Sequence, residues 1–421
     1  MLGLVLTAGG ARGAYQAGVL KRIGEIPGLA DGPSPFQIIA GASAGAINGA
    51  MIASRASHFR EATAELARLW GQLEVQQVFR SDARALAVSA FGLMRDLVLG
   101  GLFGRTVTQS LFDATPLRTL ISDSLPPGGV AEGIRRGYLY AVAVSATSYH
   151  SGRSFTFVQG RPGHPVWVKS RRVVLPVELT ADHICASAAI PIVFPPVMIE
   201  SVAGNLFFGD GGLRLTTPFS PAIRLGASRV FGIAVRSQRA ANILSHDELG
   251  AAEGSGTGLA VVCPPLAQIC GVFLNAIFLD HLDSDLDHLR RMNELIAVYQ
   301  RDDPSPESSA PVGVSPSEPM RQVWPLVISP SEDLAMVAQR FAHRMPRVVR
   351  YLMDGLGTPD AQSADLMSYL LFDAAYMRAL IDIGYRDAGE RIDEIEAFVR
   401  SGEVAPLVAL EAEVADREAA C

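Results

Sequence analysis

A chain of 421 residues is long enough for one large domain or two of ordinary size. Hydrophobic residues make up 49% of it and its mean hydropathy is positive, which supports a sizeable core and excludes long disorder. The net charge of −7 argues against nucleic acid as the principal partner, and the basic charge is almost all arginine, with Lys21 and Lys169 as the only lysines.

The first predicted element, residues 2–7, is apolar but too short for the core of an export signal and has no basic stretch before it. It reads as a buried strand. It leads through Ala8, Gly9, Gly10, Ala11, Arg12 and Gly13 into a helical pattern over 14–26. A second strand over 36–40 passes through Gly41, Ala42, Ser43, Ala44 and Gly45 into a helix over 44–54. Residues 59–73 repeat Leu66, Leu69 and Leu73 on one helical face. Residues 138–145 are strand-like, and 155–158 with 167–169 suggest a hairpin joined through 160–165. Short strands follow at 207–209 and 229–235. The stretch 302–319 is rich in Pro and Ser and reads as a loop, 323–328 as a last strand, and a helix begins near Ser331. From about His343 the pattern is helical to the end. Such alternation predicts an α/β fold, a three-layer α/β/α arrangement with a mainly parallel central sheet. The reading divides the chain into an α/β domain over 1–345 and a C-terminal helical extension over 346–421.

Two apolar stretches fall short of membrane spans. Residues 86–103 carry Arg95 and Asp96 at their centre, and 259–279 contain Pro264 and Pro265, so neither offers the roughly 20 uninterrupted apolar residues a span requires. The cysteines, Cys185, Cys263, Cys270 and Cys421, have neither C-x-x-C spacing nor nearby histidines. Free thiols in a reducing, cytoplasmic compartment are the expectation, with no metal site.

The chemistry concentrates in the two glycine-rich turns. Ser43 sits at the centre of G-x-S-x-G, where a sharp strand-to-helix elbow exposes a hydroxyl and the helix behind it turns its positive end toward a developing anion. In an α/β-hydrolase this elbow follows several strands; here one strand–helix unit precedes it. A right-handed crossover sets the first two strands side by side and brings both turns to one edge of the sheet. The 9–13 turn lacks G-x-G-x-x-G and G-K-[ST], so a dinucleotide or P-loop reading is poor. As an oxyanion hole it suits well, with Gly9 and Gly10 presenting unobstructed N–H groups and Arg12 steadying the loop or a phosphate. For the base, Asp210 stands at a strand end before Gly211 and Gly212. A tight-turn Asp explains the same residues. A triad would need His246, His281, His288 or His343, none of them in a glycine-rich strand-end context. A carboxylate acting directly is acceptable where burial raises its pKa.

These residues resemble the patatin-like phospholipase family. The matching blocks, in order, are AGGARGAYQAGVL, GASAG and the DGG at Asp210, Gly211 and Gly212, supported by LFDATPLRTLI and ASAAIPIVFPPV. The resemblance runs from about residue 2 to 235. It implies a Ser–Asp dyad without a catalytic histidine, Ser43 as nucleophile and Asp210 as base. Gly9, Gly10, Ala11, Arg12 and Gly13 form the oxyanion loop, Gly41 and Gly45 the elbow, and Gly211 and Gly212 support the acid. Where the family often has a first glycine, this chain has Ala8.

The implied activity is hydrolysis of phospholipids or other fatty acyl esters through an acyl-enzyme, with no metal or cofactor. An acyltransferase passing the acyl group to an alcohol or thiol is the alternative. Residues 82–104 read either as a core helix pair or as an apolar cap over an acyl channel, and 259–279 carry the same ambiguity. Arg161, His164, Lys169, Arg171 and Arg172 form the densest basic stretch, a solvated hairpin face or a contact for anionic headgroups. Peripheral membrane contact is the matching expectation, and the oligomeric state is left open, a dimer included.

Overall fold

Every residue of the first strand is buried, because it runs at the centre of a parallel block with a neighbour on each side. A computed structural model describes residues 1–80, 110–169, 171–201, 204–237, 269, 272, 281–302, 321–346, 350 and 364–401. The apolar stretch 82–104 lies outside them. So do His246, Cys263, Cys270, Cys421, the 303–319 part of the Pro/Ser-rich loop and all of 259–279 except 269 and 272.

In chain order the strands are β1 (Leu2–Leu6), β2 (Ile38–Ala42), β3 (Ala141–Ser148), β4 (Ser154–Gly160), β5 (Val168–Lys169), β6 (Arg172–Pro176), β7 (Val197–Ser201), β8 (Gly204–Gly209), β9 (Arg229–Ile233) and β10 (Trp324–Ile328). They form one sheet in the order β10-β9-β1-β2-β3-β4-β6-β5, with β8 paired to the end of β3 and β7 to β8. From β10 to β3 every pairing is parallel, as expected for strands joined by helical crossovers. Antiparallel pairings begin at β3–β4.

The helices include α1 (Gly13–Gly24), α2 (Ala44–Ser54), α3 (Phe59–Gly71), α4 (Val75–Val78), α5 (Thr115–Ser124), α6 (Gly129–Arg135) and α7 (Ala181–Ala188). After them come α8 (Ser220–Arg224), α9 (His281–Asp302), α10 (Leu334–Arg340), α11 (Ala364–Leu370), α12 (Ala374–Glu390) and α13 (Ile392–Arg400). Strand alternation sends Leu2, Leu4 and Leu6 of β1 into a core shared with α1, α2, α3 and α12, and Val5 into a second core closed by α8 and α9. The result is the α/β/α layering that the alternation of patterns predicts.

One sequence expectation fails. Residues 155–158 and 167–169 do not form a hairpin, because β6 lies between them, parallel to β4 and antiparallel to β5. The physical reason is that β6 buries Val174 in one core while Val173 and Leu175 pack toward another. The two-residue β5 leaves Val168 68% exposed and is held only at the sheet edge.

The C-terminal helices share the core of the first ones. Two glycines permit α12 to lie against α1: a Cβ on Gly18 would stand 2.1 Å from the Ile381 carbonyl oxygen, and one on Gly384 would stand 2.2 Å from that of Tyr15. Tyr15 also donates to Asp387 at 3.0 Å. Among the described residues no helix is long and apolar enough to cross a membrane.

Candidate active site

The GASAG segment closes β2 and opens α2 at Ser43, whose φ of 55° and ψ of −126° are uncommon for a residue with a side chain. The flanking glycines make that turn sterically feasible. A Cβ on Gly41 would fall 2.3 Å from the Gly45 carbonyl oxygen, and one on Gly45 would fall 2.2 Å from that of Leu6. The Ser43 N–H donates to Ser187 Oγ at 2.9 Å, and Ser187 in turn donates to the Ser145 carbonyl at 2.6 Å. A hydroxyl on α7 therefore ties the elbow to β3.

The first glycine turn packs against the second, as adjacent parallel strands require. A Cβ on Gly13 would meet that of Ala44 at 2.7 Å. Gly10 takes φ 55° beneath the Tyr369 carbonyl oxygen, which a Cβ would approach to 2.5 Å. Both it and Ser43 line one cleft. Arg12 N–H donates to the Gly9 carbonyl at 3.1 Å, and Gly13 N–H bonds back to Gly10 and Ala11. The N–H groups of Gly9, Gly10 and Ala11 have no such partner among the described residues, and Gly10 lines the cleft, so the turn offers donors to an incoming oxygen.

Arg12 points away from the cleft. Its side chain is buried, donates to Ser368 Oγ and Asp365 Oδ1 at 2.8 Å each, and lies 4.6 Å from the centre of the Tyr369 ring. Of the two tasks expected for it, steadying the loop fits this geometry; contacting a phosphate does not. Asp365, Ser368 and Tyr369 carry no glycine pattern and no motif, so sequence reasoning had no signal for them.

Asp210 is wholly buried at the end of β8. Its N–H donates to the Ala189 carbonyl, and its own carbonyl accepts from Thr147 Oγ1, so the backbone is fixed from two sides. Oδ1 accepts from the Gly212 N–H at 2.8 Å. Gly211 has no alternative, because a Cβ there would lie 2.0 Å from the Ser145 carbonyl oxygen. Oδ2 is buried without a hydrogen-bond partner. Burial pushes the carboxyl up to about 7, opposed by the adjacent Ser43 hydroxyl and by the Gly212 N–H. The Ser43 hydroxyl is thus close enough to favour the ionised acid but does not complete a full hydrogen bond to Oδ2.

The cleft beside Ser43 is narrow and runs between α2, α3, α5 and α7. Met51, Leu73, Leu117, Ile121, Ile184 and Phe194 are among its walls. Behind it lies a buried chain of polar groups: Trp70 Nε1 donates to Asn48 Oδ1, Asn48 Nδ2 to Gln16 Oε1, and Gln16 Nε2 to the Thr7 carbonyl. It links α3, α2, α1 and the end of β1, and no motif marks Asn48 or Trp70 in the sequence.

No histidine lines the cleft among the described residues. His288 faces another cavity, on the far side of the sheet. Cys185 is a free, buried thiol on α7, pushed up to about 12 by burial, and so unreactive.

The profile of the family described as "Patatin-like phospholipase" matches residues 4–223, just over half of the chain. No curated protein matches the chain in sequence. Among solved structures it is similar to VipD from Legionella pneumophila, with 12% identity over 96% of this chain and 92% of that one and a TM-score of 0.29. Human GIVD cytosolic phospholipase A2 in complex with a fluorophosphonate matches at 14% identity over 95% of this chain and 59% of that one, TM-score 0.36. ExoU from Pseudomonas aeruginosa, solved with SpcU, matches at 16% identity over 99% and 77%, TM-score 0.25.

Proposed function

Because this chain belongs to the patatin-like phospholipase family, we propose that it is a serine lipid acyl hydrolase of the phospholipase A or lysophospholipase type. Ser43 is its nucleophile and Asp210 its base. One observation carries the reading: a serine on a strained elbow stands next to a wholly buried carboxylate with an unpartnered oxygen, beside an apolar cleft.

The geometry suggests the following course. An acyl chain enters the cleft between α2, α3 and α5, which sets its ester carbonyl over Ser43. Asp210 Oδ2 accepts the hydroxyl proton as Ser43 Oγ bonds to the carbonyl carbon. The oxyanion forms within reach of the N–H groups of Gly10 and Ala11 and the positive end of α2. As the carbon–oxygen bond to the alcohol breaks, Asp210 returns the proton to the leaving oxygen, and Ser43 holds the acyl group as an ester. Water then attacks that ester, gives its proton to Asp210 and releases the fatty acid. The proton on Asp210 goes back to Ser43 Oγ. A carboxyl raised to about 7 suits both halves of this cycle, since it gains and loses a proton near neutrality.

The test is labelling by an alkyl fluorophosphonate together with release of fatty acid from phosphatidylcholine and lysophosphatidylcholine. Wild-type protein should do both, and Ser43→Ala neither, with its fold intact. Turnover retained by Ser43→Ala would overturn the assignment. Acyl transfer to an added alcohol or thiol in place of free fatty acid would favour the transferase.

A further inference from the structure

A second cavity, about 640 Å³, lies on the other face of the sheet, between residues 165–167, β6, α8 and α9. Its polar lining brings together three arginines, Arg172, Arg224 and Arg321, with one carboxylate, Asp285. Arg172 Nη1 and Arg224 Nε converge on a single oxygen, Ser220 Oγ, at 3.1 and 3.3 Å. Burial, and then repulsion from Arg224, hold Arg172 below its ordinary pKa, opposed in part by the Asp285 carboxylate. Arg321, from the start of the segment leading into β10, donates to the carbonyls of Ile223 and Ala227, while its Nε is buried with no partner. Thr217 Oγ1 on the same wall is buried and unpartnered as well. The carboxylate lining the cavity, Asp285, accepts from the Phe219 N–H through Oδ2 and also attracts Arg172 and His288, so it offsets one of the three arginine charges.

The remaining walls are apolar. Val166, Trp167, Leu289 and Ile296 line the cavity, and Arg224 lies 5.7 Å from the centre of the Trp167 ring. Arginines that meet above an apolar wall match a ligand with a negative head and a hydrocarbon tail. The head accepts from the arginines, and the tail covers the apolar side. A free inorganic anion would use only half of these features.

We propose that this cavity is a binding site for an amphiphilic anion, a carboxylate or phosphate head on an acyl chain, held by Arg172, Arg224 and Arg321 on the face of the sheet opposite Ser43. It is separate from the Ser43 cleft, with no lining residue in common. Fatty acids and phosphate-bearing lipids share the required chemistry.

Isothermal titration of the full chain with decyl phosphate, decanoate, decanol and inorganic phosphate tests it. The expected result is saturable binding of decyl phosphate or decanoate, and the tighter of the two identifies the head group. Arg172→Gln and Arg321→Gln should each weaken that binding by roughly tenfold or more. Ile121→Trp, which fills the Ser43 cleft, should leave a binding event of the same affinity. Several results would overturn the proposal: no saturable binding of either anion, decanol or inorganic phosphate binding as tightly as the amphiphiles, or binding that survives both arginine variants and disappears with Ile121→Trp. Circular dichroism of the arginine variants separates loss of binding from loss of fold. A misfolded variant is replaced by Trp167→Ala, which removes the wall beneath Arg224 and should weaken the same titration.

Discussion

Arg12 and Asp365 stand 353 positions apart in the chain and 2.8 Å apart in space. The first belongs to the glycine turn beside Ser43, the second to α11, beyond the stretch that the family profile matches. The turn beside the elbow is therefore braced from the C-terminal helices. Ser368 and Tyr369 add a hydrogen bond and a ring face to the same guanidinium, and the Tyr369 carbonyl caps Gly10.

Asp365→Ala should lower kcat/KM about tenfold, roughly 1.4 kcal/mol of transition-state stabilisation, mainly through kcat. The buried guanidinium loses its carboxylate, and the Gly10 and Ala11 donors lose their fixed position. Asp365→Asn, which keeps an acceptor oxygen, should lose less. Steady-state kinetics well below each variant's melting temperature check this. Equal loss in both variants, or a change confined to KM, would contradict it.

The rate should depend on pH through Asp210. Its pKa is raised to about 7 by burial, so the basic form that the proposed mechanism requires increases with pH across neutrality. A plot of log kcat/KM should rise with pH and level off above about 7. A profile flat from pH 5 to 8 would exclude Asp210 as the titrating base.

Stability should run the other way. Because the folded carboxyl is raised, the folded chain holds a proton that the unfolded chain releases between the ordinary carboxylate range and about pH 7. This group's contribution to stability therefore falls as pH rises through that window and is constant above it. Asp210→Asn should abolish turnover while raising the melting temperature at pH 8, since a buried charge is replaced by a neutral group of the same shape. Thermal unfolding of both proteins at pH 5 and 8 gives the comparison, and the gain should shrink at the lower pH.

Ser187→Ala removes the acceptor of the Ser43 N–H and leaves that buried donor unsatisfied. A cost of about 1–3 kcal/mol in stability is expected, with a fall in kcat as the elbow loosens. Chemical denaturation and kinetics on the same preparation measure both. Ser187→Thr, which keeps the hydroxyl, should recover part of each.

The Ser43 cleft predicts acyl selectivity. Ile121→Trp shortens the apolar channel, so the ratio of kcat/KM for a short acyl ester over a long one should rise about tenfold or more. Competition between p-nitrophenyl butyrate and palmitate reads that ratio directly. An unchanged ratio would place the acyl chain elsewhere.

Much of the parallel block was legible because its determinants are local. Strand 2–6 and helix 44–54 follow from runs of apolar and small residues. The glycines of GASAG mark a backbone turn whose steric demands fall mostly on near neighbours, such as Gly41 against Gly45. The antiparallel side was less legible. The hairpin expected at 155–169 gave way to β6, because a strand's partner depends on which cores its two faces fill, and neighbouring sequence does not state that. The same holds for Ser187, Asn48 and Trp70, which look like ordinary helical residues until three helices and a strand converge on the elbow.

By itself the sequence determined the two turns, their order and the residue types that stand in them, since glycine, serine and aspartate declare backbone freedom and chemistry at their own positions. Only the tertiary structure decided what those residues experience. It aimed Arg12 at Asp365 and away from the cleft, sealed Asp210 from water so that its pKa rose, and walled the space beside Ser43 with side chains from four helices. Those properties are burial and proximity between distant segments, and they exist only once the chain has closed around them.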